Sequence, residues 1–414
     1  MQSHRRVVCK GWLVALLLPA CLGSSQALPG PVAPAVVRPG LEVLLSDSMA
    51  LVAGKRVGFV TNLAAVDSRG VGAIPRLRGA GVRLVALFGP EHGLSVSAAP
   101  GEEVTSTVDT ANNIPIYSLY GATAAPTKAM LEGIDILLID LPDVGARYYT
   151  YIATAVHVMQ SAAAQHIPVV ILDRPNPIGG AVQGNILDRA WISAVGRLTV
   201  PMRHGLTLGE EARLAASDLA IPVELHVVPV AGWHRDMLFP ETGLPFRAPS
   251  PNLRDVEALF HYPGTCLFEG TALSVGRGTE AAFTQVGAPW LDTTQVLARV
   301  RAAHLPGVSF RGVRFTPVNP GDRKFADTSV VGIRLVLTDA RVYDPTRTAV
   351  VLLSAVRSVH PDRVRIGGSF DRLAGGPALR LALLGSVPPD SIVSGWTAEQ
   401  ARFRERVRPF LLYP

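Results

Sequence analysis

Ile134-Asp135-Ile136-Leu137-Leu138-Ile139-Asp140 is a near-continuous apolar run that closes on an acid. A strand reads this way when both of its faces are covered, so the run predicts a parallel sheet with helices on either side. Three more runs share the character, at residues 56–61, 82–88 and 169–173. Amphipathic stretches over 74–80 and 149–165 are long enough for the helical crossovers that parallel strands require. The expected class is α/β with a doubly wound parallel sheet. Residues 175–290 are rich in Pro and Gly with long connections. The alternation then resumes with a helix at 293–304, strands at 308–315 and 330–338, a helix at 343–360 and a last amphipathic segment at 397–407. A domain boundary is expected near 290.

Of 414 residues, 48% are hydrophobic and 17% charged, a balance that buries a large core and excludes a disordered chain. No apolar run reaches the ~20 residues a membrane span needs. Three cysteines with no Cys-x-x-Cys pair make neither a disulfide scaffold nor a structural zinc site. Arg5, Arg6 and Lys10 supply half of the net charge of +6, and the remainder is too scattered to suggest a nucleic-acid partner. Those three residues precede an apolar run over 11–20 and the small-residue string Ser25-Gln26-Ala27. This is the order of a secretory signal, so residues 1–27 are expected to be removed and the protein to be periplasmic or secreted. Leu18-Pro19-Ala20-Cys21 resembles a lipobox, which would put a lipid anchor on Cys21; its proline is unusual there, and cleavage after Ala27 is preferred. Either way Cys266 is the only internal cysteine left, and no intramolecular disulfide can form.

Ligands of open α/β sheets collect beyond the carboxyl ends of the strands. Polar clusters stand at those ends here: Gly89-Pro90-Glu91-His92-Gly93, Asp140 through Tyr149, and Asp173-Arg174-Pro175-Asn176-Pro177. Glu91 carries the most weight, because Phe88 and Leu94 could desolvate its carboxyl group into a general acid, the alternative being a turn-stabilising glutamate. His92 could relay a proton or bind metal, or simply hydrogen-bond its loop. Asp143 reads equally as a functional acid and as a helix cap or partner of Arg147. Arg147, Arg203 and Arg277 can each grip a carboxylate with a two-pronged bond, or hold a loop. Tyr148, Tyr149 and Tyr151 could form a platform for a sugar ring or pack in the core. Thr207 and Glu210 fit a capping box at the start of a helix. Asn252 sits in a rigid Pro-Ser-Pro-Asn loop, and Glu269 is a second carboxylate with apolar neighbours. The chain has no Gly-x-Ser-x-Gly elbow, His-x-x-x-His pair or Walker lysine, which weakens serine hydrolysis, zinc hydrolysis and nucleotide binding. A rim of carboxylates, arginines and tyrosines suits a hydroxyl-rich ligand that carries negative charge.

Taken in order, Gly89–Gly93, Asp140–Tyr151, Asp173–Gly180, Arg203-His204-Gly205-Leu206-Thr207 and Tyr262–Thr271 resemble the bacterial exo-β-N-acetylmuramidase family, formerly a domain of unknown function. The likeness runs from about Gly40 to Pro414 and includes Phe370–Gly375 and Phe410–Tyr413. It implies a Rossmann-like catalytic domain over 40–290, a second, smaller α+β domain over 291–414, and a site in the cleft between them. The activity implied is removal of terminal β-1,4-linked N-acetylmuramic acid from peptidoglycan fragments, with no cofactor and no metal. Glu91 is the leading catalytic carboxylate on this view, with Glu269 and Asp143 open as the second group. His92, Arg147, Tyr149, Asn176, Arg203, His204, Asn252 and Arg277 are candidates for holding substrate. Ala272, Ala282, Thr284 and Pro142 depart from the family pattern near the cleft, which would alter sugar preference. Two other classes stay open: a non-catalytic periplasmic binding protein for wall sugars, and a metal-dependent hydrolase built on His92, Asp143 and His204.

Overall fold

In the computed structural model, the described residues are 36–414 except 100 and 111, with a few positions among the first eleven; the apolar run and cleavage site of the expected signal, and Cys21, lie outside them. The strands are β1 (Arg56–Thr61), β2 (Arg83–Gly89), β3 (Thr107–Asp109), β4 (Ile114–Ser118), β5 (Ile136–Asp140), β6 (Val169–Leu172), β7 (Gln183–Ile186), β8 (Pro201–Arg203), β9 (Leu225–Val228), β10 (Gln285–Ala288), β11 (Val308–Phe315) and β12 (Val330–Leu337). Seven of them form one sheet in the order β3-β4-β2-β1-β5-β6-β9, all parallel except the edge strand β3. The α/β class and the mostly parallel sheet are therefore as expected.

Side chains alternate across this sheet, and both faces are apolar. Leu137 and Ile139 of β5 enter one core cluster, whereas Ile136 and Leu138 enter the other. The first face is covered by α4 (Tyr151–Ala164) and α5 (Leu208–Asp218), the second by α1 (Gly40–Asp47) and α2 (Ala73–Gly79), with α3 (Lys128–Leu131) leading into β5. Each such fully buried Leu or Ile is worth roughly 1.5–3 kcal/mol, which fixes the register of the strands. The chain adds β2 on one side of β1 and β5 on the other. A crevice therefore opens at the carboxyl ends on this switch point.

Beyond α6 (Val256–Thr265) a second, antiparallel sheet runs β10-β12-β11. α7 (Thr293–Ala302) packs on it, α8 (Pro345–Val359) packs on α6 and α7, and α9 (Gly368–Ala374) and α10–α12 (Ala378–Leu384, Pro389–Ser394, Thr397–Val407) follow. This is the smaller C-terminal part, and its sheet draws in Gln285–Ala288 from before residue 290. Pro263 and Gly264 lie inside the last turn of α6, where a Cβ on Gly264 would meet the carbonyl oxygen of Pro345 at 2.0 Å. Only glycine lets α6 and α8 approach this closely.

The last residues return to the first sheet. Tyr413 donates its hydroxyl to Asp173 Oδ2 at 2.6 Å, and Leu412 N donates to Glu210 Oε1 at 2.7 Å. No helix among the described residues is long and apolar enough to cross a membrane.

Candidate active site

The bend after β2 presents Glu91. Gly93 N bonds back to Pro90 O at 2.9 Å, and His92 and Gly93 both take positive φ (71° and 73°), which turns the chain sharply. His92 is buried and its Nδ1 pairs with Ala98 O at 2.8 Å. Burial, with help from Arg277, outweighs Glu91 and that carbonyl and holds the imidazole below its ordinary value, so His92 is neutral near pH 7.

Glu91 itself is half-buried. Thr150 Oγ1 donates to its Oε2 at 2.7 Å, and the Tyr120 phenol lies near enough to feel its charge. Gly101 N reaches Oε1 at 3.4 Å. Thr150 occupies the N-cap of α4 but makes no side-chain cap, so its hydroxyl is free for Glu91. Burial and then Glu91 push the Tyr120 phenol up to about 12, which keeps it a donor.

A cavity of about 180 Å³ opens beside this carboxyl group. Glu91, His92, Tyr149 and Thr150 line it from the first sheet, and Tyr262, Glu269, Arg277 and Phe283 from the C-terminal side. The Tyr149 ring meets that of Tyr262 edge-on at 6.4 Å, and Tyr262 meets Phe283 at 4.8 Å, a continuous aromatic wall. Tyr149 and Tyr151 both donate to Pro249 O, at 2.9 and 2.7 Å, so the wall is braced from behind. Glu269 accepts from Arg277 Nε, and the Arg277 guanidinium lies 4.9 Å from the Phe283 ring centre. Lys324 Nζ fixes the turn bearing Glu269 by donating to the carbonyls of Phe268, Glu269 and Leu273.

The structure thus brings Glu91, His92, Tyr149, Glu269 and Arg277 together, and places the other candidates elsewhere. Arg147 is buried and donates to the carbonyls of Asn185, Val200 and Leu373. Asn176 bonds Leu206 O and Ile178 N, and Arg203 bonds Gln183 Oε1 and Ile178 O. Asn252 is half-buried, its backbone N–H bonded to Ser250 Oγ, outside the cavity lining. The capping box of Thr207 and Glu210 forms as expected.

Asp143 lines a different cavity, with Arg174 and several prolines, and pairs with Gly145 N rather than with Arg147. Behind it lie His204 Nε2, 3.7 Å from Asp143 Oδ2, and Glu211 Oε1, 3.8 Å from that nitrogen. These three are the only group among the described residues with the compactness of a metal site, and His92 is not part of it. His204 Nδ1 accepts from Leu206 N at 3.2 Å, so the neutral ring carries its proton on Nε2. Burial, then Arg147, pushes His204 down to about 3. With its one inward nitrogen protonated, His204 offers no lone pair to a metal, and the trio fits a shared-proton cluster better.

Thr150, Tyr120, Tyr262 and Phe283 are site residues that sequence reading did not single out. Thr150 and Tyr262 stand inside motifs already quoted; Tyr120 and Phe283 carry no local signal.

Comparison with known proteins bears directly on this arrangement. Residues 57–257 match the N-terminal model and residues 260–413 the C-terminal model of the exo-β-N-acetylmuramidase NamZ family. The chain belongs to the exo-β-N-acetylmuramidase family. It is 38% identical over 381 residues to the peptidoglycan β-N-acetylmuramidase NamZ of Bacillus subtilis (strain 168), covering 91% of each chain. Crystal structures of two DUF1343 family proteins from Bacteroides fragilis NCTC 9343 share the fold: one at 30% identity and a TM-score of 0.84 (92% of this chain, 99% of that one), the other at 29% and 0.75 (91% and 99%). Membership makes the chain a glycoside hydrolase, and both parts of the family architecture contribute side chains to the cavity around Glu91.

Proposed function

We propose that the enzyme releases terminal β-1,4-linked N-acetylmuramic acid from the ends of peptidoglycan fragments, with Glu91 as the catalytic carboxylate. The observation that carries this reading is the setting of Glu91. It is the one carboxylate among the described residues that borders the cavity with no cationic partner, held by the Thr150 hydroxyl beside an aromatic wall suited to a pyranose ring. Glycoside cleavage turns on a carboxyl group placed at the bridging oxygen, and the cavity supplies one. Its other carboxylate, Glu269, is tied to Arg277, and Asp143 opens on a separate cavity. Incubation with a disaccharide that bears N-acetylmuramic acid at its non-reducing end, read by mass spectrometry, is expected to yield the two free sugars. An intact disaccharide bound without turnover would favour a binding protein instead.

The same reading puts the enzyme where peptidoglycan is, outside the cytoplasmic membrane. The basic, apolar and small-residue order of residues 1–27 supports export. The mature protein is expected to begin at Leu28; a mass that shows an acylated Cys21 at its start would replace soluble release with lipid anchoring.

A further inference from the structure

Three arginines are candidates for holding substrate, Arg147, Arg203 and Arg277, and their guanidinium groups differ in what they leave unspent. Both Nη atoms of Arg147 donate to backbone carbonyls, and both Nη atoms of Arg203 are likewise bonded. Arg277 is different. Its Nε is tied to Glu269 and its plane lies over Phe283, yet neither Nη has a hydrogen-bond partner among the described residues. The side chain is only 11% exposed, and the exposed part borders the cavity that holds Glu91.

We propose that Arg277 reads the carboxylate of the 3-O-lactyl group, the substituent that distinguishes N-acetylmuramic acid from N-acetylglucosamine, and that Glu269 is the positioning residue for it. The inference rests on the muramidase reading above and adds its specificity determinant.

A guanidinium held at Nε presents its two Nη groups as a planar fork, the geometry that takes a carboxylate by two parallel bonds. The ring of Phe283 below its Cζ and the bond at Nε restrain the group, so little side-chain freedom is lost when the anion arrives. Charge in the cavity makes the same selection. Glu91 and Glu269 repel an incoming carboxylate, and His92 is neutral. Lys324, the nearby ammonium, is spent on three carbonyls below the turn. An acid group on the sugar is therefore tolerated at one place, the fork of Arg277. A sugar that lacks it leaves both Nη groups of a mostly buried guanidinium without an acceptor, which is the stronger half of the discrimination.

The test uses free N-acetylmuramic acid and its lactyl methyl ester as calorimetric ligands. The wild-type enzyme is expected to bind the acid between about 10- and 100-fold more tightly than the ester, as loss of charge-assisted bonds implies. In Arg277→Met that ratio falls to near one, with ester binding little changed. Arg277→Met leaves Glu269 unpaired; if it unfolds, the double substitution Arg277→Met with Glu269→Gln removes both charges and gives the same reading. Glu269→Gln alone frees Arg277 from its anchor and is expected to lower the ratio, read against the ester affinity of the same variant. Equal wild-type affinity for acid and ester, or a ratio that survives Arg277→Met, overturns the proposal. The two ideas fail separately. A wild-type enzyme that cleaves an aryl muraminide but shows no ratio refutes the Arg277 role alone, and one that shows the ratio without any cleavage refutes the hydrolytic reading alone.

Discussion

Glu91→Gln is expected to lower release of N-acetylmuramic acid from an aryl muraminide by at least about 10³-fold, since a general acid or base contributes roughly 10²–10⁴ and nothing adjacent can take its place. Glutamine keeps the length and the carbonyl that accepts from Thr150, so the bend after β2 and the N-terminal end of α4 keep their contact. What disappears is the capacity to exchange a proton with the bridging oxygen. His92 cannot substitute, because its Nδ1 is engaged by Ala98 O and burial keeps the ring neutral. Glu269 is no substitute either while Arg277 holds it. Turnover by the variant within tenfold of wild type, at unchanged melting temperature, would move the chemistry to another group.

Asp143→Asn is expected to stabilise the enzyme above neutral pH and to change little near pH 4. Burial pushes the Asp143 carboxyl up to about 7, against the amides of Gly145 and Val144 and with a further push from Asp173. The unfolded chain titrates this group near its ordinary value of about 3.9. A folded-state value above the unfolded one means that the contribution to stability is fully present below about pH 4. It drains away as the pH climbs, and is lost on passing about 7. Linkage over that interval is worth on the order of 2–4 kcal/mol at pH 8. Asparagine carries no proton to lose, and its oxygen still accepts from Gly145 N. Denaturant midpoints of the two proteins should coincide at pH 4 and diverge toward pH 8, with the variant higher. Asp173, raised to about 6, keeps a milder slope in both. Parallel curves would show that Asp143 is not a buried titrating group.

The central strands were legible because burial on both faces writes itself into the sequence as unbroken apolar runs. Residues 308–315 were expected as a strand and are β11 to the residue, and the expected crossover at 149–165 is α4 within two. The short edge pair β3 and β4 left no such mark: Thr107-Val108-Asp109 is three residues long, and β4 carries Pro115. Tyr262-Pro263-Gly264-Thr265 reads locally as a turn, and is helical because α8 packs against Gly264. Among the site residues, the bend after β2 announced Glu91 through its proline and glycine. The arginines could not be sorted by sequence, since Arg147, Arg203 and Arg277 all sit beside glycines and polar residues. Only tertiary contacts separate two whose Nη groups are both taken by main-chain or amide oxygens from one whose Nη groups are not. Tyr120 was invisible for the same reason: its value lies in where β4 delivers it, not in its neighbours.

The hydroxyl that Tyr413 lends to Asp173 spans a sequence separation of 240 residues, and the amide of Leu412 reaches Glu210 across 202. Damage at Tyr413 therefore leaves the buried Asp173 one donor short, so a lesion far along the chain is felt at the rim of the first sheet.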